Sequence, residues 1–352
     1  EDFVYSTAPA VVVLYGQRRS GKSSLIYKLL LSNLLDPHIP VRIDMQHLTL
    51  NFTVEKFFRD VAYSIHREIM KQGYTLPFPD LGLFKDDATF VFDRFLDEVE
   101  AWLGGRKLVL LIDEFEVLDE KAETHQIDRH LFDHLRSLVQ ERQCMHLLLA
   151  GTHKLEGLSS AYWSVFFNLA IHRRLANLTP EAARQLICDP MKGVLEFDHF
   201  AIEKIRSLTG DQPYLIQLFC HALVRHCQVQ AKDYITINDV NVVLNEVKDS
   251  GRQYFNWIWD QVTQEERVIL AIITQASGDG EQFVSFNDVE RSFREYHLSF
   301  TSDSLLASLR NLRNSDVIVD VPNEHRYKIV VGLTHSWLHE TKPLQRVILG
   351  KE

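Results

Sequence analysis

The sequence has no hydrophobic run approaching the roughly 20 residues that a bilayer-spanning helix requires. Its strongest aliphatic stretches, Leu108–Ile112 and Met145–Ala150, are far shorter, which excludes a helical membrane span. Cysteine is scarce: Cys144, Cys188, Cys220 and Cys227 form no CxxC pair and no regular framework, so neither a zinc site nor disulfide stapling is indicated. Reduced, buried thiols in a cytoplasmic protein are the expectation. Positive charge is also in deficit, with 38 Lys+Arg against 48 Asp+Glu and a net charge of −10, a field that repels polyanions at long range. There is no internal repeat, no low-complexity tract and no Asn/Thr-Lys-x-Asp motif. The chain opens Glu1-Asp2 without a methionine and reaches a strand-like run within ten residues, so a piece of a longer protein is the expectation, with any protein effector or sensor domains expected outside this stretch.

What is present is an alternation of strand and helix patterns. Val11–Tyr15 is β-branched and precedes a glycine-rich turn and a helical segment from Lys22 to Leu35. Val41–Met45 predicts a second strand and Thr53–Lys71 an amphipathic helix with Phe57, Phe58, Val61, Ile65 and Ile69 on one face. After a loop over 72–87, a helix over Ala88–Leu103 meets Gly104-Gly105. Leu108–Ile112 is an uninterrupted aliphatic run, the pattern of a strand buried on both faces of a parallel sheet, and after a helix over Asp128–Arg142 the strongly apolar Met145–Ala150 repeats that pattern around His146. A helix containing Tyr162, Trp163 and Phe166 then leads to a fifth strand over Ala170–Ala176. The fold class is therefore α/β with right-handed crossovers.

From Thr179-Pro180-Glu181 only helices are expected as far as Ser250. Beyond Gly251 come helices over Gln264–Gln275, Phe286–Tyr296 and Ser302–Asn314, then strands Val317–Val321 and Tyr327–Val331 around Pro322-Asn323-Glu324, the order of a winged helix. The expected domains are 1–178, a helical domain 179–252, a winged helix 253–342 and a tail 343–352.

The residues Gly16, Gln17, Arg18, Arg19, Ser20, Gly21, Lys22 and Ser23, followed by Ser24, fit G-x-x-x-x-G-K-[ST] at every fixed position. Main-chain N–H groups in such a loop turn inward and, with the following helix N-terminus, hold phosphate oxygens. Lys22 would reach the β- and γ-phosphates and Ser23 would ligate magnesium. Leu110-Leu111-Ile112-Asp113-Glu114 supplies two acids at the end of a buried strand: Asp113 to hold the metal through water, Glu114 to polarise the attacking water. ATP or ADP with Mg2+ is the expected ligand.

These motifs, with Ala150-Gly151-Thr152 closing an aliphatic strand and Gly210-Asp211-Gln212-Pro213-Tyr214 in the helical region, resemble the STAND branch of the AAA+-related P-loop ATPases. The resemblance covers nearly the whole chain and implies a P-loop NTPase sheet of order 5-1-4-3-2 followed by a helical lid and a winged helix. It implies that Thr152, or alternatively His153, senses the γ-phosphate; a helix cap is the other reading of Thr152. It puts Arg173 and Arg174 where relatives carry an arginine finger, although strand-edge arginines are also commonly solvated. Pro213 would lie against the adenine, or simply open a helix. Two features depart from the family pattern: the short base-pocket motif before the first strand is missing, and His335 is only a weak match for the histidine that touches the β-phosphate in some members. The resemblance implies a signalling switch that oligomerises with ATP. The alternative is a DNA-acting ATPase of origin-recognition or transposition type, with Arg310, Arg313, Arg326 and Lys328 on duplex, offset by Asp303, Asp320 and Glu324.

Overall fold

The computed structural model describes residues 11–45, 52–127, 129–152 and 170–350. Two compact units divide the chain, Glu1–Leu175 and Ala176–Glu352. Among the described residues no helix is long and apolar enough to cross a membrane.

The first unit is built on a five-stranded parallel sheet: β1 (Val11–Tyr15), β2 (Ile39–Asp44), β3 (Leu108–Asp113), β4 (Met145–Gly151) and β5 (Ala170–Arg174). Their order is β2-β3-β4-β1-β5, the expected 5-1-4-3-2 arrangement of a P-loop NTPase read from the other edge. Strands β3 and β4 are buried at every position, as their strongly apolar sequences suit central strands to be, and His146 of β4 and Asp113 of β3 are buried with them. Alternation divides the side chains between two layers. Val11, Val13, Val41, Ile43, Leu110, Ile112, Leu147 and Leu149 face helices α2 (Val54–Lys71), α4 (Ala88–Leu103) and α6 (Arg129–Glu141), whereas Val12, Leu14, Val109, Leu111, Leu148 and Ala150 meet Ile26 of helix α1 (Lys22–Leu31). The same parity carries Arg42, Asp44 and Asp113 to the α1 face.

Local chemistry sets the helix starts. Thr53 accepts a hydrogen bond from the Lys56 amide at 3.1 Å and Asp87 one from the Phe90 amide at 3.0 Å. Two readings shift. Helix α1 ends at Leu31 and a 3-10 turn covers Asn33–Leu35, because Leu35 folds back into the core. The loop over 72–87 contains helix α3 (Leu83–Asp86), nucleated by burial of Phe84. The helix read around Tyr162, Trp163 and Phe166 lies outside the described residues.

The second unit has one continuous hydrophobic core running from Ala183 to Val347. Helices α7 (Pro180–Cys188), α8 (His199–Thr209), α9 (Pro213–Gln230) and α10 (Ile237–Gln261) come first, joined by a two-stranded pairing of β6 (Glu196–Phe197) with β7 (Tyr234–Ile235) that helical periodicity did not reveal. Helix α10 is 25 residues long and runs through Gly251, so the expected boundary between the helical domain and the winged helix falls inside a helix. Its start is fixed by Asp239, which accepts from the Thr236 amide and hydroxyl at 2.9 and 2.7 Å. There follow α11 (Gln264–Ala276), β8 (Val284–Ser285), α12 (Phe286–Glu295), α13 (Ser302–Asn314), β9 (Ile318–Val321) and β10 (Arg326–Ile329), with an antiparallel sheet β8-β10-β9. Helix α14 (Gly332–Thr341) and α15 (Leu344–Ile348) end the described chain; the segment expected as a tail buries Leu344 and Val347.

All four cysteines are free thiols. Burial pushes Cys144 up to about 11 and Cys220 up to about 12, which leaves both protonated and unreactive.

Candidate nucleotide site

The phosphate loop begins where β1 ends between β4 and β5. The Gly16 amide donates to Gly151 O at 3.3 Å, and the Leu175 amide donates to Tyr15 O at 2.7 Å. A side chain at Gly16 would collide with the Leu175 carbonyl, so only glycine fits. Arg19 (φ 64°) and Gly21 (φ 98°) both take left-handed backbone, the alternation that turns successive N–H groups to one side as an anion nest. Gly21 is the N-cap of α1 and no side chain caps that helix, so its first-turn amides point at the loop without a side-chain acceptor.

Lys22 folds over the loop, its Nζ donating to Gly16 O at 2.9 Å and Gln17 O at 2.7 Å. Burial pulls its pKa below the usual lysine value; the fields of Glu116, Asp113 and Glu114 oppose this, and Arg18 adds to it. Three carboxylates from the β3 end therefore face the phosphate-loop lysine. Ser20 lies at the loop floor, 5% exposed, and its Oγ has no hydrogen-bond partner among the described residues. Ser23 and Ser24 are exposed on the first turn of α1, beside the exposed Arg18.

Asp113 ends β3 at 4% exposure. The Arg42 guanidinium sits 3.6 Å from Asp113 Oδ2 and 2.8 Å from Asp44 Oδ2, and lies over the Tyr27 ring at 4.6 Å. Asp44 and Asp113 are register partners on adjacent strands, so the arginine offsets two neighbouring negative charges. Glu114 follows in left-handed backbone (φ 57°), unusual outside glycine and common at functional turns. Helix α5 (Glu116–Glu123) starts two residues on. Its first residue accepts two hydrogen bonds on Oε1, from the Thr152 amide and hydroxyl, each at 2.9 Å.

Thr152 thus stands at the tip of β4, bonded to an acid beside the cradle. Arg173 and Arg174 are exposed on the edge strand, in register with Leu14 and Tyr15 at the phosphate-loop end of β1. His153, and the segment in which Thr152 would act as a cap, lie outside the described residues. In the second unit, Pro213 is the first residue of α9, whose N-cap Gln212 accepts from the Leu215 amide at 2.9 Å. His335 is buried there, its Nε2 within 3.2 Å of Thr274 O and 3.0 Å of Ser277 Oγ, which makes it a core histidine. Arg42, Asp44 and Glu116 escaped the sequence reading. The Arg-x-Asp spacing in β2 was the available signal for the first two, since residues i and i+2 share a strand face.

A nested, glycine-dependent loop under a lysine, with acids at the end of a neighbouring strand, is the arrangement of a P-loop nucleotide-binding fold. Residues 6–158 match the family profile described as AAA domain. No curated protein matches the chain by sequence. Among solved structures, a Walker-type ATPase of Pyrococcus abyssi is similar with a TM-score of 0.64 at 16% identity, over 94% of this chain and 91% of that one. Cdc6p from Pyrobaculum aerophilum (TM-score 0.47, 15% identity, 99% and 90% coverage) and the RuvB branch migration motor of Thermotoga maritima (0.47, 16%, 96% and 88%) are more distant. At these identities the likeness is one of fold.

Proposed function

We propose that the chain is an ATP-hydrolysing, STAND-type signalling switch. The observation that carries the reading is the Lys22 ammonium held over the phosphate loop within the fields of Asp113, Glu114 and Glu116. Incoming β- and γ-phosphate oxygens replace the Gly16 and Gln17 carbonyls as acceptors for Lys22, exchanging two dipoles for an anion. The hydroxyl of Ser23 and the carboxylate of Asp113 are hard oxygen donors suited to Mg2+, which is held by few side chains and by the phosphates. Magnesium supplies charge neutralisation on the transferring phosphate. Glu114 orients the attacking water and accepts its proton. Arg173 or Arg174 serves a neighbouring copy as an arginine finger, and Pro213 packs on adenine.

The switch is favoured over DNA translocation or loading by charge in the C-terminal segment, which we read as a winged helix. Arg313 pairs with Asp320 at 3.0 Å, Arg326 with Glu324 at 3.4 Å and Lys328 with Glu281 at 2.7 Å. Cations already answered by acids offer little net charge to a phosphate backbone. In this reading ADP holds the resting form, and ATP exchange releases it to assemble with further copies.

Phosphate release by wild type and Glu114→Gln tests the enzyme: the variant should retain Mg-ATP and lose about 100-fold or more in turnover. Mass photometry with ADP and with a non-hydrolysable ATP analogue tests the switch, and unchanged mass in both sinks it. Salt-dependent duplex binding abolished by Arg310→Glu with Arg313→Glu would instead establish the DNA-acting reading.

A further inference from the structure

Three carboxylates, Asp113, Glu114 and Glu116, cluster at and just beyond the end of β3, and the proposed chemistry employs only the first two. Glu116 is the third. Its Oε1 accepts from both the amide and the hydroxyl of Thr152 at 2.9 Å. Its Oε2 is buried and has no hydrogen-bond partner among the described residues. Gly151 makes room for this arrangement, because a Cβ there would collide with Glu116 Oε2 and come within 2.8 Å of the Phe115 ring. Of the acids acting on the Lys22 ammonium, Glu116 exerts the largest field. The carboxylate therefore lies between the tip of β4 and the phosphate loop, fixed on one oxygen and uncommitted on the other.

A hydroxyl carries one proton and two lone pairs. The Thr152 proton is directed to Glu116, so lone pairs are all its oxygen presents elsewhere. An oxygen of that kind does not donate to a terminal phosphate; it accepts from a water. The geometry points to Glu116 as a positioning residue for hydrolysis: it fixes Thr152 and makes its hydroxyl an acceptor that orients the attacking water for Glu114. This inference rests on the ATP-hydrolysing reading above. It separates two tasks at the site. Lys22 and the loop amides bind nucleotide, while the Glu116–Thr152 pair acts only on the water, so its loss appears in kcat and leaves nucleotide uptake unchanged.

The test is a double-mutant cycle read by steady-state phosphate release and by Mg-ATP affinity. Glu116→Asp keeps the charge but withdraws the carboxylate by one methylene. It should lower kcat about 10- to 100-fold, the scale of a displaced positioning group, with KM held within about twofold. Glu116→Gln keeps an acceptor oxygen in place and should stay within about threefold of wild type, since Thr152 remains bonded. In a Thr152→Val background the Glu116→Asp loss should vanish, because partners acting as one unit are not additive. A wild-type rate for Glu116→Asp overturns the proposal. So does a defect in Glu116→Gln alone, which would make charge rather than reach the operative property, or a Glu116→Asp loss undiminished in the valine background. If Glu116→Asp melts below the assay temperature, Thr152→Ser against Thr152→Val carries the test: serine keeps the rate and valine loses it, and equal rates overturn the idea. Absence of hydrolysis by wild type sinks the ATPase reading itself and is seen before any variant is made.

Discussion

The two units treat buried polar groups in opposite ways. In the second, such groups are bonded into caps and core links: Asp239 to Thr236, His226 and Lys232, Glu266 to Thr263, Gln212 to Leu215, and His335 to Thr274 and Ser277. Thr334 Oγ1 is the exception among its described residues. At the candidate nucleotide site of the first, Ser20 Oγ and Glu116 Oε2 are buried without a hydrogen-bond partner among the described residues, and Lys22 donates to the loop carbonyls of Gly16 and Gln17. A buried polar atom without a partner costs stability, so a fold retains it where a ligand supplies the missing bond. The contrast sets polar groups bonded into the structure of the second unit against two at the phosphate loop that are open to a ligand.

The sharpest way to break this contrast is Asp239→Ala. Asp239 is 2% exposed, and although burial alone would raise its pKa, hydrogen bonds from Lys232, Thr236 and His226 hold it well below the usual carboxylate range. The substitution should destabilise the second unit by about 3 kcal/mol in denaturant melts. The charge-linked part of this stability is fully present above the unfolded carboxylate value near about 4 and is lost as pH falls through the lower folded value.

A smaller effect is expected at His335. Burial holds its pKa below the ordinary histidine value, with the Thr274 carbonyl acting in the opposite direction. Below about pH 6.5 the unfolded chain takes up a proton that the folded chain resists, so stability should drop between about pH 7 and 5. His335→Gln removes that titration, and its melting midpoint should fall less over the same interval. An identical slope for both proteins would count against the assignment.

The smallest expected change in stability is at Ser20. Ser20→Ala removes a hydroxyl with no partner, so the melting free energy should stay within about 0.5 kcal/mol of wild type. Mg-ATP affinity, measured calorimetrically, should weaken. A large loss of stability with unchanged affinity would place Ser20 among the structural groups and blur the distinction between the units.

Much of this organisation was legible in the residues. Strands that are apolar on both faces have no water-facing side, which marked β3 and β4 as buried in a parallel sheet. The spacing from Gly16 to Ser23 located the phosphate loop because it constrains backbone as well as side chains. The Arg-x-Asp spacing placed Arg42 and Asp44 on one strand face, but the tie of Arg42 to Asp113 was not legible, since Asp113 arrives from a distant strand by register with Asp44. Glu116 was hidden for a related reason: the residue it holds, Thr152, is 36 positions away. The continuity of α10 through Gly251 also ran against local signals, because burial on both sides of that glycine outweighs its weak helix preference.

The last residue of the nucleotide unit is also a neighbour of the phosphate loop. Leu175 gives its amide to Tyr15, and its carbonyl occupies the space a side chain on Gly16 would need. The polypeptide therefore leaves the first unit from beside the cradle itself, so the room that keeps Gly16 a glycine is set by the very residue at which that unit ends.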